Sequence, residues 1–316
     1  VTARAVGEAT ITATSTLDGT KSDSATVTVT EPSGPTITLD FLGSGAGQVF
    51  VNGTGPYTSD ATVTVEGDTA ILQKGEGSLI AWGGACSAAR AANSCTLTMD
   101  GPKTVTAAFS SGTEDTASSR VTNVGLPSGS SDDVEEFVSA FDTFVAGEVY
   151  EDSGTLDLTY DPRGTDQVVG LRYRNLDIPQ GATILNATIQ FRSRAVSTDA
   201  PDQDPLILTI EAQDSANAPG FTEILYNVSS RARLDTSVSW TPATWGTGTI
   251  LAALSPNLTT LVQDLVNKGD WDQANNAVAF IITSNDTQNR RAADSFESNP
   301  DGAPQLVIVY EAPAAP

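Results

Sequence analysis

Four acids crowd into the end of Ser130-Ser131-Asp132-Asp133-Val134-Glu135-Glu136. Hard carboxylate oxygens at such spacing suit Ca2+, which gathers oxygen ligands from several groups at once. The run lacks the glycine and terminal glutamate of an EF-hand loop, so a solvated acidic loop competes with a metal site. Asp199, Asp202 and Asp204, in a loop with Pro201 and Pro205, form a second candidate for Ca2+. Asp270 and Asp272, on either side of Trp271, form a third.

Arginine offers a different chemistry. If the strands that carry them pair, Arg172, Arg174, Arg192 and Arg194 fall on one polar face, while Arg231, Arg233, Arg290 and Arg291 lie elsewhere in the same region. Guanidinium forks bind carboxylates in pairs. Such a face would suit a uronic-acid polysaccharide, and it would equally suit internal ion pairs with the many acids, the reading the composition favours. Aromatic residues could stack on sugar rings: Trp240, Trp245 and Trp271, with Tyr173 and Tyr226. Trp240 alternates with Val238 and reads as core. Trp245, in Pro242-Ala243-Thr244-Trp245-Gly246, reads as a loop residue and is the best candidate for exposure.

Other chemistry is excluded. The chain has no histidine, so no Ser-His-Asp triad, Cys-His pair or His-ligated zinc can form. Paired carboxylates could still hydrolyse a glycosidic bond. A net charge of −23 repels nucleic-acid phosphates and anionic membrane surfaces. No apolar run is long enough to span a bilayer. Cys86 and Cys95 are the only cysteines. Their closeness suits a local disulfide, with two buried thiols as the alternative. Asn-X-Ser/Thr sites at Asn52, Asn186, Asn227, Asn257 and Asn285 arise by chance in so Thr/Ser-rich a chain.

The elements that must position these groups are strands. In Val168–Arg194 two strands flank Ile178-Pro179-Gln180-Gly181. Val169, Leu171 and Tyr173 alternate with polar residues in the first, and Leu185, Ala187, Ile189 and Phe191 do so in the second. The proline and glycine between them supply turn chemistry. One helix is expected: Ser255 as N-cap, Pro256 at the first helical position, then Leu258, Leu261, Val262, Leu265 and Val266 on one stripe, with Gly269 as the stop. Lys268 lies at the negative end of its dipole. Trp271 is expected under the helix end. The length of 316 residues allows two or three domains.

Residues 1–33 read as a hairpin followed by the linker Glu31-Pro32-Ser33-Gly34-Pro35. Gly7-Glu8-Ala9-Thr10-Ile11-Thr12-Ala13-Thr14 through Thr30 resembles the last two strands of bacterial Ig-like (group 2) domains found in surface adhesins. The resemblance implies missing upstream strands, so the chain is expected to be a piece of a larger modular protein, or to borrow strands from a neighbour. Residues 36–110 carry Gly43-Ser44-Gly45-Ala46-Gly47, then Ala81-Trp82-Gly83-Gly84-Ala85-Cys86, then Cys95-Thr96-Leu97-Thr98-Met99. This pattern is similar to internalin B-repeat-like β modules, which act as spacers. No lysine or helix follows Gly47, so the glycines mark a tight turn rather than a phosphate loop, and Trp82 reads as core.

Residues 115–312 read as a β-sandwich, plausibly a jelly roll, with the helix capping one end. Its acidic run, Gln167–Phe191, Ser229–Trp240, Leu258–Ile282 and Ala303–Tyr310 resemble a module of large secreted proteins from environmental bacteria, and more distantly the DNRLRE-type jelly rolls, some of which bind polysaccharide. The whole chain is thus expected to be all-β with one short helix. Its expected role is a non-catalytic extracellular adhesion or glycan-binding segment, meeting polysaccharide or a cell-surface glycan. The alternative is a subunit of an extracellular fibre, self-assembling through the N-terminal hairpin. An enzyme using two carboxylates is a third reading.

Overall fold

The computed structural model describes residues 7–29, 34–112, 114–120, 130–140, 142–161, 164–194, 205–245, 254–285 and 289–313. The fold is all-β with one short helix. No helix among the described residues is long and apolar enough to cross a membrane.

Gly7–Thr14 and Ser22–Val29 pair antiparallel, and among the described residues they pair only with each other. The register places Ala9, Ile11, Ala25 and Val27 on one face. Ile11 and Val27 remain exposed.

Residues 34–112 form two four-stranded sheets. In one, Lys103–Ser110 runs parallel to Thr36–Leu42 and antiparallel to Ser78–Gly84. Ile37, Leu39, Leu72, Trp82, Val105 and Phe109 fill the space between the sheets. The Cys86–Cys95 disulfide is formed, with Cα atoms 5.8 Å apart. Trp82 is fully buried beside it and donates its indole N–H to the Ala92 carbonyl at 2.8 Å. The glycine-rich turn packs on Phe109: Gly45 N–H bonds its carbonyl at 3.1 Å, and any Cβ on Gly47 would strike its ring.

The larger module packs two sheets face to face. The order of the first is Val149–Tyr150, Asp133–Phe137, Thr165–Arg174, Ala277–Ser284, Leu208–Gln213, Arg233–Trp240. The second holds Asp115–Arg120, Gln305–Glu311 and Thr183–Gln190. Ser118, Ser119 and Arg120 pair with Val307, Leu306 and Gln305. Leu171, Tyr173 and Phe280 of the first sheet meet Ala187, Ile189, Leu306 and Ile308 of the second in one core.

The two strands of Val168–Arg194 are consequently not a hairpin. Thr165–Arg174 lies in the larger sheet and Thr183–Gln190 in the smaller. Residues 175–182 carry the chain from one sheet to the other. The outer face of the larger sheet is covered as well: Val134, Val168 and Ile281 pack against Phe221 and Val228 of the segment that crosses it. Double burial explains the nearly continuous apolar run Ala277–Ile282. In the second strand a bulge between Ile184 and Asn186 breaks the alternation. A bulge re-aims a side chain, and here Leu185 lies buried against Gly43 of the preceding module.

The helix is shorter than expected, Thr259–Val266. Ser255 does not cap it. Residues 254–258 instead run along strand Thr183–Gln190: Ser255 N–H bonds the Ile189 carbonyl at 2.9 Å, and Leu258 N–H bonds the Ala187 carbonyl at 2.7 Å. Asn257 Oδ1 takes the Thr259 N–H at 2.9 Å and so serves the helix start. Leu261, Val262, Leu265 and Val266 join the core, and Trp271, beneath the helix end, donates to the Ile178 carbonyl at 2.9 Å.

Candidate functional site

The acidic run does not gather into a metal centre. Strand Asp133–Phe137 sends Asp133 and Glu135 to the side of Leu171 and Val169, and Val134 and Glu136 to the side of Gly170 and Val168. Each acid then meets a different partner. Asp132 is held between Arg172 at 2.6 Å and Arg174 at 2.7 Å. Glu136 accepts the Val228 and Ser229 N–H groups at 2.7 and 3.0 Å. Glu135 accepts the Asp157 N–H at 2.6 Å, and Asp133 accepts the Phe296 N–H at 2.8 Å. Among the described residues no three acids converge to hold a metal ion, and each acid of this run is engaged by an arginine or a backbone N–H instead. Asp199, Asp202 and Asp204 lie outside the described residues.

Burial gives Asp133 and Glu135 unusual proton affinity. Burial, with the charges of Glu297 and then Asp132 adding to it, pushes Asp133 up to about 7. Among the described residues its buried Oδ1 has no hydrogen-bond partner. Burial first, and the charge of Asp157 second, hold Glu135 well above the usual carboxylate range.

The arginines form no common face: Arg172 and Arg174 lie on strand Thr165–Arg174 of the larger sheet, whereas Arg192 and Arg194 follow the end of strand Thr183–Gln190 of the smaller. Besides Asp132, Arg172 donates to the Ala218 carbonyl at 2.6 Å. Arg192 and Arg194 straddle Asp294 at 3.3 and 3.6 Å. Arg290 pairs with Asp157 at 2.5 Å and Arg233 with Glu211. Arg231 lies 4.0 Å over the Phe221 ring and donates to the Pro219 and Gly220 carbonyls. Arg291 is fully buried and donates to the Pro242 and Ala243 carbonyls at 3.0 Å each.

That last pair of bonds pins the segment leading to Trp245. Trp245 is only 6% exposed, which corrects the expectation of an exposed loop residue. Its ring sits 6.0 Å from Trp240 and 5.9 Å from Phe191. Tyr173 and Trp271 are buried too, so the expected stacking platform does not exist. Of the five aromatics only Tyr226 is open to solvent, its ring packed against Gly147.

What the fold does build is a groove where the two large modules meet. Asn257, 3% exposed, is the centre of the join. Its side-chain amide donates to the Trp82 carbonyl at 2.9 Å, while its Oδ1 accepts from Ala187 N–H at 3.2 Å and Thr259 N–H at 2.9 Å. Arg90 reaches over to the Leu254 and Ser255 carbonyls. Ser44 bonds Glu311 through N–H at 2.9 Å and hydroxyl at 2.6 Å. These bonds fix one module on the other.

Beside Asn257 lie two adjoining hollows of about 400 and 550 Å3 that share Asp40, Gly84, Thr106, Thr236, Asn257 and Thr260. Pockets that bind small molecules run to about 300–1,000 Å3 and favour domain interfaces. One wall is the outer face of the smaller module's sheet, where Asp40 and Thr106 project away from buried Leu39 and Val105. Gly83 makes room there, since a Cβ would come within 2.1 Å of Thr106 Oγ1. The other wall is strand Arg233–Trp240, at the edge of the larger sheet, and the first turns of the helix. Thr236 Oγ1 lies 3.4 Å from Asp264 Oδ2 across this wall. Among the described residues lining the hollows there is no Lys or Arg.

None of these groove residues stands out in the sequence as a site. An outward threonine on a strand carries no pattern of its own, and Asn257 is visible only as a chance sequon. The chain matches no protein-family model and no curated protein.

Proposed function

We propose that this chain is a non-catalytic, glycan-binding adhesion segment of an extracellular protein. The observation that carries the reading is the groove, bordered by Thr, Ser and Asp residues, between two modules locked together by buried hydrogen bonds. A preformed groove spares a ligand the cost of ordering the site. The resemblance to secreted modules, some of them polysaccharide-binding, and the formed disulfide point the same way, since disulfides persist in oxidising compartments. The buried acids, tied to arginines and backbone N–H groups, favour a structural use over hydrolysis. A glycan array probed with the intact chain tests the reading. Retention of at least one glycan, with that glycan's mass unchanged after incubation, supports it. A blank array, or cleavage of the retained glycan, counts against it.

A second reading keeps one specific observation. The N-terminal hairpin leaves Ile11 and Val27 exposed and pairs with no other described strand, so it suits strand sharing between chains in a fibre. Light scattering against concentration separates the two: growth into long assemblies that stops when residues 1–33 are deleted selects the fibre.

A further inference from the structure

Resting on the glycan-binding reading, we propose that the groove beside Asn257 is the binding site and that it takes an uncharged oligosaccharide rather than a uronate or sulphated one. The first argument is charge. The groove presents two carboxylates, Asp40 and Asp264, and among its described lining residues no basic group to offset them. A uronate carboxylate placed there would meet like charge at short range without a counter-ion. The guanidinium groups of Arg172, Arg290, Arg192 and Arg233 are engaged elsewhere, with Asp132, Asp157, Asp294 and Glu211, and Arg90, in the neighbouring hollow that shares Ser239, is tied to the Leu254 and Ser255 carbonyls.

The second argument is hydrogen-bonding type. Thr104, Thr106, Thr236, Ser237, Ser239 and Thr260 are among the residues that line the hollows, and a Thr or Ser hydroxyl can both donate and accept. Asp40 and Asp264 accept only. A sugar hydroxyl both donates and accepts, so it matches this mixture. An ammonium group could use the two carboxylates and little else. Threonine methyls and the bare backbone of Gly84 supply small apolar patches for the C–H faces of a ring.

The third argument is rigidity. The groups behind the groove are committed to the interior. Asn257 bonds Trp82, Ala187 and Thr259. Gln263 accepts from Ile184 N–H and donates to the Ala182 carbonyl, both at 2.8 Å. They hold the floor still, while the exposed Thr236, Thr260 and Asp264 face the ligand.

The test is calorimetric titration of the intact chain with cellohexaose, xylohexaose, mannohexaose, glucosamine hexamer and hexaguluronate at low salt. Thr236→Arg and Thr260→Arg would obstruct the groove at exposed positions, and Asp264→Asn is a milder probe. Tyr226→Ala is the control for the exposed aromatic. Melting curves confirm that each variant is folded. The expected result is binding of a neutral hexamer, weakened tenfold or more by either arginine variant and by a smaller factor by Asp264→Asn, with Tyr226→Ala unchanged. Preference for hexaguluronate or the glucosamine hexamer overturns the assignment, as does loss of binding in Tyr226→Ala with the groove variants intact. In those cases the glycan-binding reading still stands. Failure of all five ligands together with a blank glycan array overturns that reading itself.

Discussion

The side-chain amide of Asn257, from the larger module, lies 2.9 Å from the backbone carbonyl of Trp82, in the core of the smaller one. Trp82 stands beside the disulfide, and Asn257 starts the helix and holds the edge of strand Thr183–Gln190. One asparagine thereby ties two hydrophobic cores to each other.

Removing it should loosen the join. Asn257→Ala leaves the Ala187 and Thr259 N–H groups without their acceptor, and buried groups so orphaned cost about 1–3 kcal/mol each. We expect a total loss of about 2–6 kcal/mol and a calorimetric trace that splits into two transitions, one per module. A single transition at the wild-type temperature would show that the modules are coupled by other contacts.

The buried acids set a pH dependence. Burial raises the Asp133 carboxyl from its ordinary 3.8 to about 7 in the folded chain. A carboxyl with a raised folded value contributes stability that is full below its unfolded value and is lost as pH rises through its folded value. At 1.36 kcal/mol per unit the loss is on the order of 4 kcal/mol between about pH 4 and pH 7, and Glu135 acts in the same direction. Melting temperature should therefore fall from pH 5 to pH 8, and Asp133→Asn should flatten the curve. The groups concerned are Asp133 itself, Glu297 and Asp132 beside it, and the Phe296 N–H that it accepts. A wild-type melting temperature that rises over this range would contradict the assignment.

Trp245 belongs to the core, so its loss should register as instability. Trp245→Ala empties a place between Trp240 and Phe191, and large aromatic truncations in cores cost about 3–5 kcal/mol. Denaturant midpoints should drop accordingly, while glycan retention by the folded fraction stays at the wild-type level. Lost retention with an unchanged midpoint would return Trp245 to the surface.

The disulfide acts locally. Cys86→Ser with Cys95→Ser opens a short loop, worth about 2–3 kcal/mol in the chain-entropy account. The smaller module should melt earlier and become accessible to protease around residues 86–95. Unchanged protease resistance would mean that packing around Trp82 alone holds the loop.

Much of this fold was legible in local pattern. Alternation marks Val169, Leu171 and Tyr173 as inward-facing, and the stripe of Leu261, Val262, Leu265 and Val266 marks the helix. Pairing was not legible. A hairpin and a sheet-to-sheet connection share proline-glycine turn chemistry. The available discriminator is the length of the connection at residues 175–182, longer than the two to five or so residues of common hairpin loops. The helix start was misplaced because a serine can bond a strand edge as well as a helix terminus. Trp245 looked exposed because nothing near it in sequence reveals Arg291, which bonds the carbonyls ahead of it. The groove was invisible for the same reason: its walls come from residues near 40, 106, 236 and 260, brought together only by the docking of two modules.

The most direct test of the account is hydrogen–deuterium exchange of the intact chain, free and saturated with the neutral oligosaccharide it binds. Protection concentrated in Thr104–Thr106, Thr236–Ser239 and the helix from Thr259 to Asp264 is the predicted result. Saturated binding that protects only other segments, such as the turn around Tyr226, would contradict the placement of the site in the groove.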